Sequence, residues 1–143
     1  MKLLILNGPN LNMLGEREPE TYGNTSLTTI QEGLEAAFPD TELVFFQSNH
    51  EGELIDKLHG GAENGLDGIV FNPGGYAHTS VALRDAISAI ETPVIEVHIS
   101  NIAARESFRH HSVTAGAALG MISGFGSMGY RMAVKYFLNS DPA

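Results

Sequence analysis

Apolar residues recur along this chain in two alternating rhythms. Residues 2–6 (KLLIL) read as a first strand, its apolar run Leu3–Leu6 unbroken after Lys2, as expected of a strand buried on both faces. Over 27–38 the apolar positions fall at 27, 30, 34, 37 and 38, which is helical spacing. Ser26 is placed to cap that helix and Pro39 lies just past its end. A strand at 42–47 (ELVFFQ) follows, then a helix over 53–63 weakened near its end by Gly60 and Gly61, then a buried strand at 68–71. The pattern continues with a helix over about 80–90, capped by Thr79 or Ser80, and a strand at 93–98 (PVIEVH). Residues 99–114 read as irregular and polar; 117–123 (AALGMIS) reads as a fifth strand, 124–129 as a Gly-rich turn and 130–138 as the last helix. No period runs through residues 8–26. An unpatterned stretch of that length in a compact domain is usually functional, and this one reads as a lid loop.

Strands that alternate with helices require crossover connections, so the five strands are expected to form a parallel sheet covered on both faces. The expected fold is a doubly wound, three-layer α/β/α domain spanning 1–143, with strand order 2-1-3-4-5. That order sets the loop after strand 1 beside the turn after strand 3, with the end of strand 4 next to both. The polar residues at these ends then converge on one crevice.

Composition narrows the choice of partner. The length suits one domain that buries roughly 70% of its unfolded surface. Eight Lys and Arg against seventeen Asp and Glu give a net charge of -9. Such a chain has no global electrostatic reason to bind nucleic acid or an anionic membrane, and an anionic ligand would need well-placed Arg side chains. With no Cys, disulfides and thiolate metal sites are excluded. The first apolar run is too short for a signal-peptide core and no stretch approaches a membrane span, so a soluble cytoplasmic domain is expected.

The strand ends supply Asn10, Arg17, Tyr22, Asn72, His78, His98, Ser100 and Arg109. Two Arg suit a carboxylate or phosphate, a His and a Tyr suit proton transfer, and amides suit a developing oxyanion. An unperturbed Tyr is only about one part in a thousand ionised at neutral pH, but a guanidinium nearby lowers a pKa by about 1–3 units. Arg17, on the same loop as Tyr22, is the candidate for that effect. Glu96 and His98 are two apart on a strand and share a face, so Glu96 is placed to orient a His. Structural roles fit the same residues: Tyr22 packing its loop onto the body, or Glu96 and His98 as a buried pair. His50, His59, His110 and His111 read as surface residues, and no HExxH spacing exists, which argues against zinc. Lys2, Lys57 and Lys135 all lie away from the carboxyl ends of strands, so no lysine is placed for a Schiff base. Neither GxGxxG nor GxxxxGK[ST] follows the first strand, which argues against a dinucleotide or P-loop site.

Three segments, ILNGPNLNMLGEREPETYG, FNPGGYAHTS and EVHISNIAARESFRHHS, together resemble the type II 3-dehydroquinate dehydratases, in the right order and across nearly the whole chain. The resemblance implies a flavodoxin-like fold, usual assembly as dodecamers built from trimers, and dehydration of 3-dehydroquinate to 3-dehydroshikimate without metal or organic cofactor. It implies that Tyr22 takes a proton from the carbon beside the ketone, with Arg17 lowering the Tyr pKa. Asn10, with an ordered water, would stabilise the enolate oxygen, and His98 would protonate the leaving hydroxyl. Asn72, His78 and Arg109 would hold the substrate, as would Ile99 and Ser100 through backbone groups. Asp85 would reach the site of a neighbouring subunit.

Three positions depart from the family pattern. The turn reads Gly75-Tyr76-Ala77-His78 where Ala-Tyr-Thr-His is common, and Ala103 stands where a His is common. None of these changes touches an assigned catalytic group, so an active enzyme is expected. The competing expectation is a non-catalytic flavodoxin-like module that binds a small anion, which would have no use for Arg17, Tyr22 and His98 together.

Overall fold

The structure, a computed structural model, describes residues 1–16, 19–22 and 25–139. Its sheet has five parallel strands: β1 (Lys2–Asn7), β2 (Glu42–Gln47), β3 (Gly68–Asn72), β4 (Val94–His98) and β5 (Gly120–Ser123). They lie in the expected order β2-β1-β3-β4-β5. The helices are α1 (Pro19–Tyr22), α2 (Leu27–Ala37), α3 (Glu51–His59), α4 (Val81–Ala89) and α5 (Met128–Asn139).

Strand periodicity divides the core in two. Leu3, Ile5, Val70 and Val97 face Ile30 and Leu34 of α2 and Tyr130, Ala133, Val134 and Phe137 of α5. Leu4, Leu6, Ile69 and Phe71 face Leu54 and Leu58 of α3 and Leu83, Ala86 and Ile87 of α4. Because β1, β3 and β4 lie inside the sheet, both sets of alternating side chains are buried, which is why their sequences are mostly apolar; Glu96 and the strand-end residues Asn7, Asn72 and His98 are the buried polar exceptions.

Local chemistry sets the helix starts. Ser26 Oγ accepts from Thr29 N at 3.1 Å, and Ser80, rather than Thr79, caps α4 by accepting from Leu83 N at 2.9 Å. Three expectations shift. The helix expected over 53–63 runs Glu51–His59, starting where Ser48 Oγ takes the His50 N–H and ending at Gly60. The fifth strand covers only Gly120–Ser123, because Ala115–Ala117 curls into a 3-10 turn. The stretch after β1 also carries local order: Leu11–Met13 forms a 3-10 turn and Pro19–Tyr22 a helical turn, with Leu11 and Leu14 buried as anchors.

The site is positioned by the junction between β1 and β3. Gly8 N–H donates to Asn72 O at 2.8 Å, and a Cβ on Gly8 would sit 2.6 Å from Pro73 O. Gly74 turns the chain after β3 with φ of +61°, close against Pro9. At the other end of the sheet, β5 is a half-exposed edge. An apolar groove there is lined by Ile95, Leu119, Met121, Met132 and Tyr136. Among the described residues, no helix is long and apolar enough to cross a membrane.

Candidate active site

A cleft opens above the carboxyl ends of β1, β3 and β4, lined by both apolar and polar side chains. Its floor is built by β4, which ends in Glu96-Val97-His98. Glu96 is fully buried and His98 is 5% exposed. His98 Nε2 lies 2.8 Å from Glu96 Oε2. Ser112 Oγ donates to the same oxygen at 2.6 Å, while Thr114 Oγ1 donates to Oε1. Burial pushes the Glu96 carboxyl upward, yet the hydrogen bond and charge of His98 and the two hydroxyl donors outweigh it, so its pKa falls below the ordinary value. An ionised Glu96 requires a donor at each contact, so Nε2 of His98 carries a proton toward it. Proton exchange with a bound molecule then belongs to Nδ1.

His78 stacks against His98, ring centroids 6.1 Å apart. Its Nδ1–H donates to the carbonyl of His111 at 2.9 Å, which leaves Nε2 as the ring's acceptor. Desolvation lowers the His78 pKa; the His111 contact opposes this, and the His98 and Arg109 charges add to the lowering. Asn72, at the end of β3, is almost fully buried and lines the cleft. Asn10 has φ of +69° and its N–H is tied to Asn49 Oδ1 at 2.9 Å, which turns the chain over the cleft mouth. The carbonyls of Ile99 and Ser100 already accept from Gly126 N–H and Ser123 Oγ, so an anionic ligand would meet the backbone donors of this segment instead.

The cations come from the irregular segment after β4. Arg109 lines the cleft and is braced by Glu106, its Nε 2.7 Å from Oε2. That hydrogen bond, against a smaller effect of desolvation, holds the Glu106 carboxyl below its ordinary value. Arg105 lines the same wall and reaches Ser100 Oγ at 3.3 Å. Arg105 falls in the 99–114 stretch that the sequence marks only as irregular and polar, and its spacing of four from Arg109 was the signal available. Ser112 and Thr114 were missed as well, because their types alone carry no mark of contact with Glu96.

Asn10, Asn72, His78, His98, Ile99, Ser100 and Arg109 thus meet at one cleft, with Glu96 beneath it. Asp85 does not line it and is exposed on α4. Arg17 lies outside the described residues, as does the side chain of Tyr22; the backbone of Tyr22 ends α1. The expected surface positions of His50, His59, His110 and His111 are borne out. Of the departures, Gly75 is exposed at the cleft rim, Ala77 is buried, and Ala103 is exposed on the 3-10 turn Ile102–Ala104. Among the described residues, no cluster of three or more His, Asp or Glu is arranged to hold a metal ion.

The family model described as Dehydroquinase class II matches residues 1–138. The chain belongs to the class II dehydroquinases. Within that family, it is 58% identical over 141 residues to a 3-dehydroquinate dehydratase of Bacillus licheniformis, covering 97% of each chain. It is 54% identical over 138 residues to 3-dehydroquinate dehydratase 2 of Pseudomonas aeruginosa, covering 94% of this chain and 92% of that one. A type II dehydroquinase structure from Butyrivibrio crossotus superposes with a TM-score of 0.95 at 46% identity, covering 97% of this chain and 98% of that one. The three-layer parallel fold expected from the sequence is therefore the dehydroquinase fold.

Proposed function

We propose that this dehydroquinase removes water from 3-dehydroquinate to give 3-dehydroshikimate by anti elimination through an enolate. The observation that carries the reading is the buried Glu96–His98 pair at the base of a cleft whose wall presents Arg105 and Arg109. These cations suit a carboxylate substrate in a chain of net charge -9, and the pair suits a general acid.

Tyr22, as phenolate, takes a proton from the carbon beside the ketone, and the electron pair moves onto the ketone oxygen as an enolate. Asn10, with a water, donates to that oxygen. Arg17 favours the phenolate by charge. The enolate then collapses and expels the hydroxyl, which takes the His98 Nδ1 proton and leaves as water. Glu96 stabilises the charged imidazole before that transfer and fixes the ring. Asn72, His78, Arg109 and the backbone of Ile99 and Ser100 hold the substrate, joined by Arg105. The route uses no metal or organic cofactor.

The assembly is a dodecamer built from trimers, in which Asp85 reaches a neighbour's cleft. Exposed Asp85 on α4 and the apolar groove on β5 and α5 support self-association. Residues 8–26 act as the lid of a single domain, which works in the cytoplasm.

The test is turnover of 3-dehydroquinate by chelator-treated protein, followed by absorbance of the conjugated product, with a parallel sample in borohydride. Activity that survives both treatments supports the enolate route. A folded protein that binds the substrate without converting it would favour a non-catalytic anion-binding module.

A further inference from the structure

Tyr130 is the largest side chain in the described interior with no exposure to solvent. It lies in the first turn of α5, within the apolar cluster between that helix and the sheet. A Phe would suit such surroundings, yet the hydroxyl is fully engaged. It donates to Asn7 Oδ1 at 2.5 Å and accepts from Asn72 Nδ2 at 3.0 Å. Asn7 and Asn72 are register partners that end the adjacent strands β1 and β3.

The direction of each bond follows from the next. Gly74 N–H can only donate, and it takes Asn72 Oδ1 at 3.1 Å. This turns the Asn72 amino group toward Tyr130. The phenol accepts there, so its own proton goes to Asn7. One backbone N–H and one buried phenol therefore select which atoms of the Asn72 amide remain for the cleft.

We infer that the Tyr130 hydroxyl is a positioning residue, holding the Asn72 amide in the orientation that receives substrate. The inference rests on the dehydratase reading of the cleft. Desolvation raises the Tyr130 pKa far above its usual value, with the Asn72 contact opposing it only in part. The phenol thus stays neutral and able to donate and accept throughout the working range, and its contribution is independent of pH.

The experiment compares steady-state turnover of 3-dehydroquinate by the wild-type assembly, Tyr130→Phe, Asn72→Ala and the double variant, each corrected for folded fraction. Tyr130→Phe is expected to raise KM about tenfold, as befits a buried amide left unpaired, with the pH limbs of kcat unmoved. The double variant is expected to be no worse than Asn72→Ala, because the hydroxyl acts through that amide. Asn7→Leu removes the acceptor of the phenol proton and is expected to reproduce the KM defect should Tyr130→Phe fail to fold. A lower Tm with unchanged kcat/KM in both variants, or losses that add in the double variant, would reduce Tyr130 to a core residue. A wild-type protein that is folded but inactive would sink the dehydratase reading and this role with it.

Discussion

His98 and Glu96 face each other across 2.8 Å on the last turn of the pleat in β4, and the carboxylate is anchored from its far side by Ser112 and Thr114. Four groups on two segments thus share one buried charge. With its pKa lowered below the ordinary 4.5, folded Glu96 stays ionised at a pH where the unfolded chain would protonate it. The resulting stability is fully present above about pH 4.5 and is lost as the pH falls through the folded value. Thermal denaturation of wild type and Glu96→Gln should therefore show a Tm gap that is constant above that pH and narrows below it. A gap that stays constant through pH 3 would show that Glu96 gains nothing from these donors.

The proton-transfer assignment makes a kinetic prediction. Tyr22→Phe should lose about 10²–10⁴-fold in turnover with the fold intact, the usual scale for a general base. Arg17→Ala should raise the pH needed for activity, since the phenolate loses its favourable charge. Near-normal rates for the first variant, or an unmoved acidic limb for the second, would remove the corresponding role.

Gly8→Ala tests the close approach of the two loops that frame the cleft. Its Cβ would lie 2.6 Å from Pro73 O, so β1 and β3 must part where Asn10 and Asn72 begin. Overpacking of this kind costs about 1–3 kcal/mol, and a misplacement of about 1 Å at a site costs on the order of 100-fold in rate. Activity should fall by more than stability alone explains, as read from kcat/KM per folded molecule.

Ser80→Ala probes fold without site. The hydroxyl caps α4 at Leu83 N, and its loss should cost about 1 kcal/mol, or about 2–4 °C in Tm. Turnover at 25 °C should be unchanged. A large rate loss would mean that α4 helps shape the cleft.

Much of this was legible in local sequence. Apolar runs at 3–6 and 68–71 read as buried strands because both faces of β1 and β3 are covered, and the spacing of Ile30 and Leu34 read as one face of α2. The helix near 53–63 was displaced because its first turn is set by the Ser48 contact with His50, which no apolar period announces. The fifth strand was overextended because Ala and Gly are compatible with both a strand and the tight turn that Ala115–Ala117 adopts.

The sequence by itself determined the element order, the parallel sheet and which loops lie at its carboxyl end, since periodicity and chain punctuation act within a few residues. Through its three motifs it also determined the family. Only the tertiary structure decided that Ser112 and Thr114 bind Glu96, that Arg105 joins Arg109 on one wall, and that Tyr130 bridges Asn7 and Asn72. Those contacts depend on how the segment after β4 folds back and how α5 seats on the sheet. Hydrogen bonds between such distant residues leave no period in the chain, because packing rather than spacing brings their atoms together.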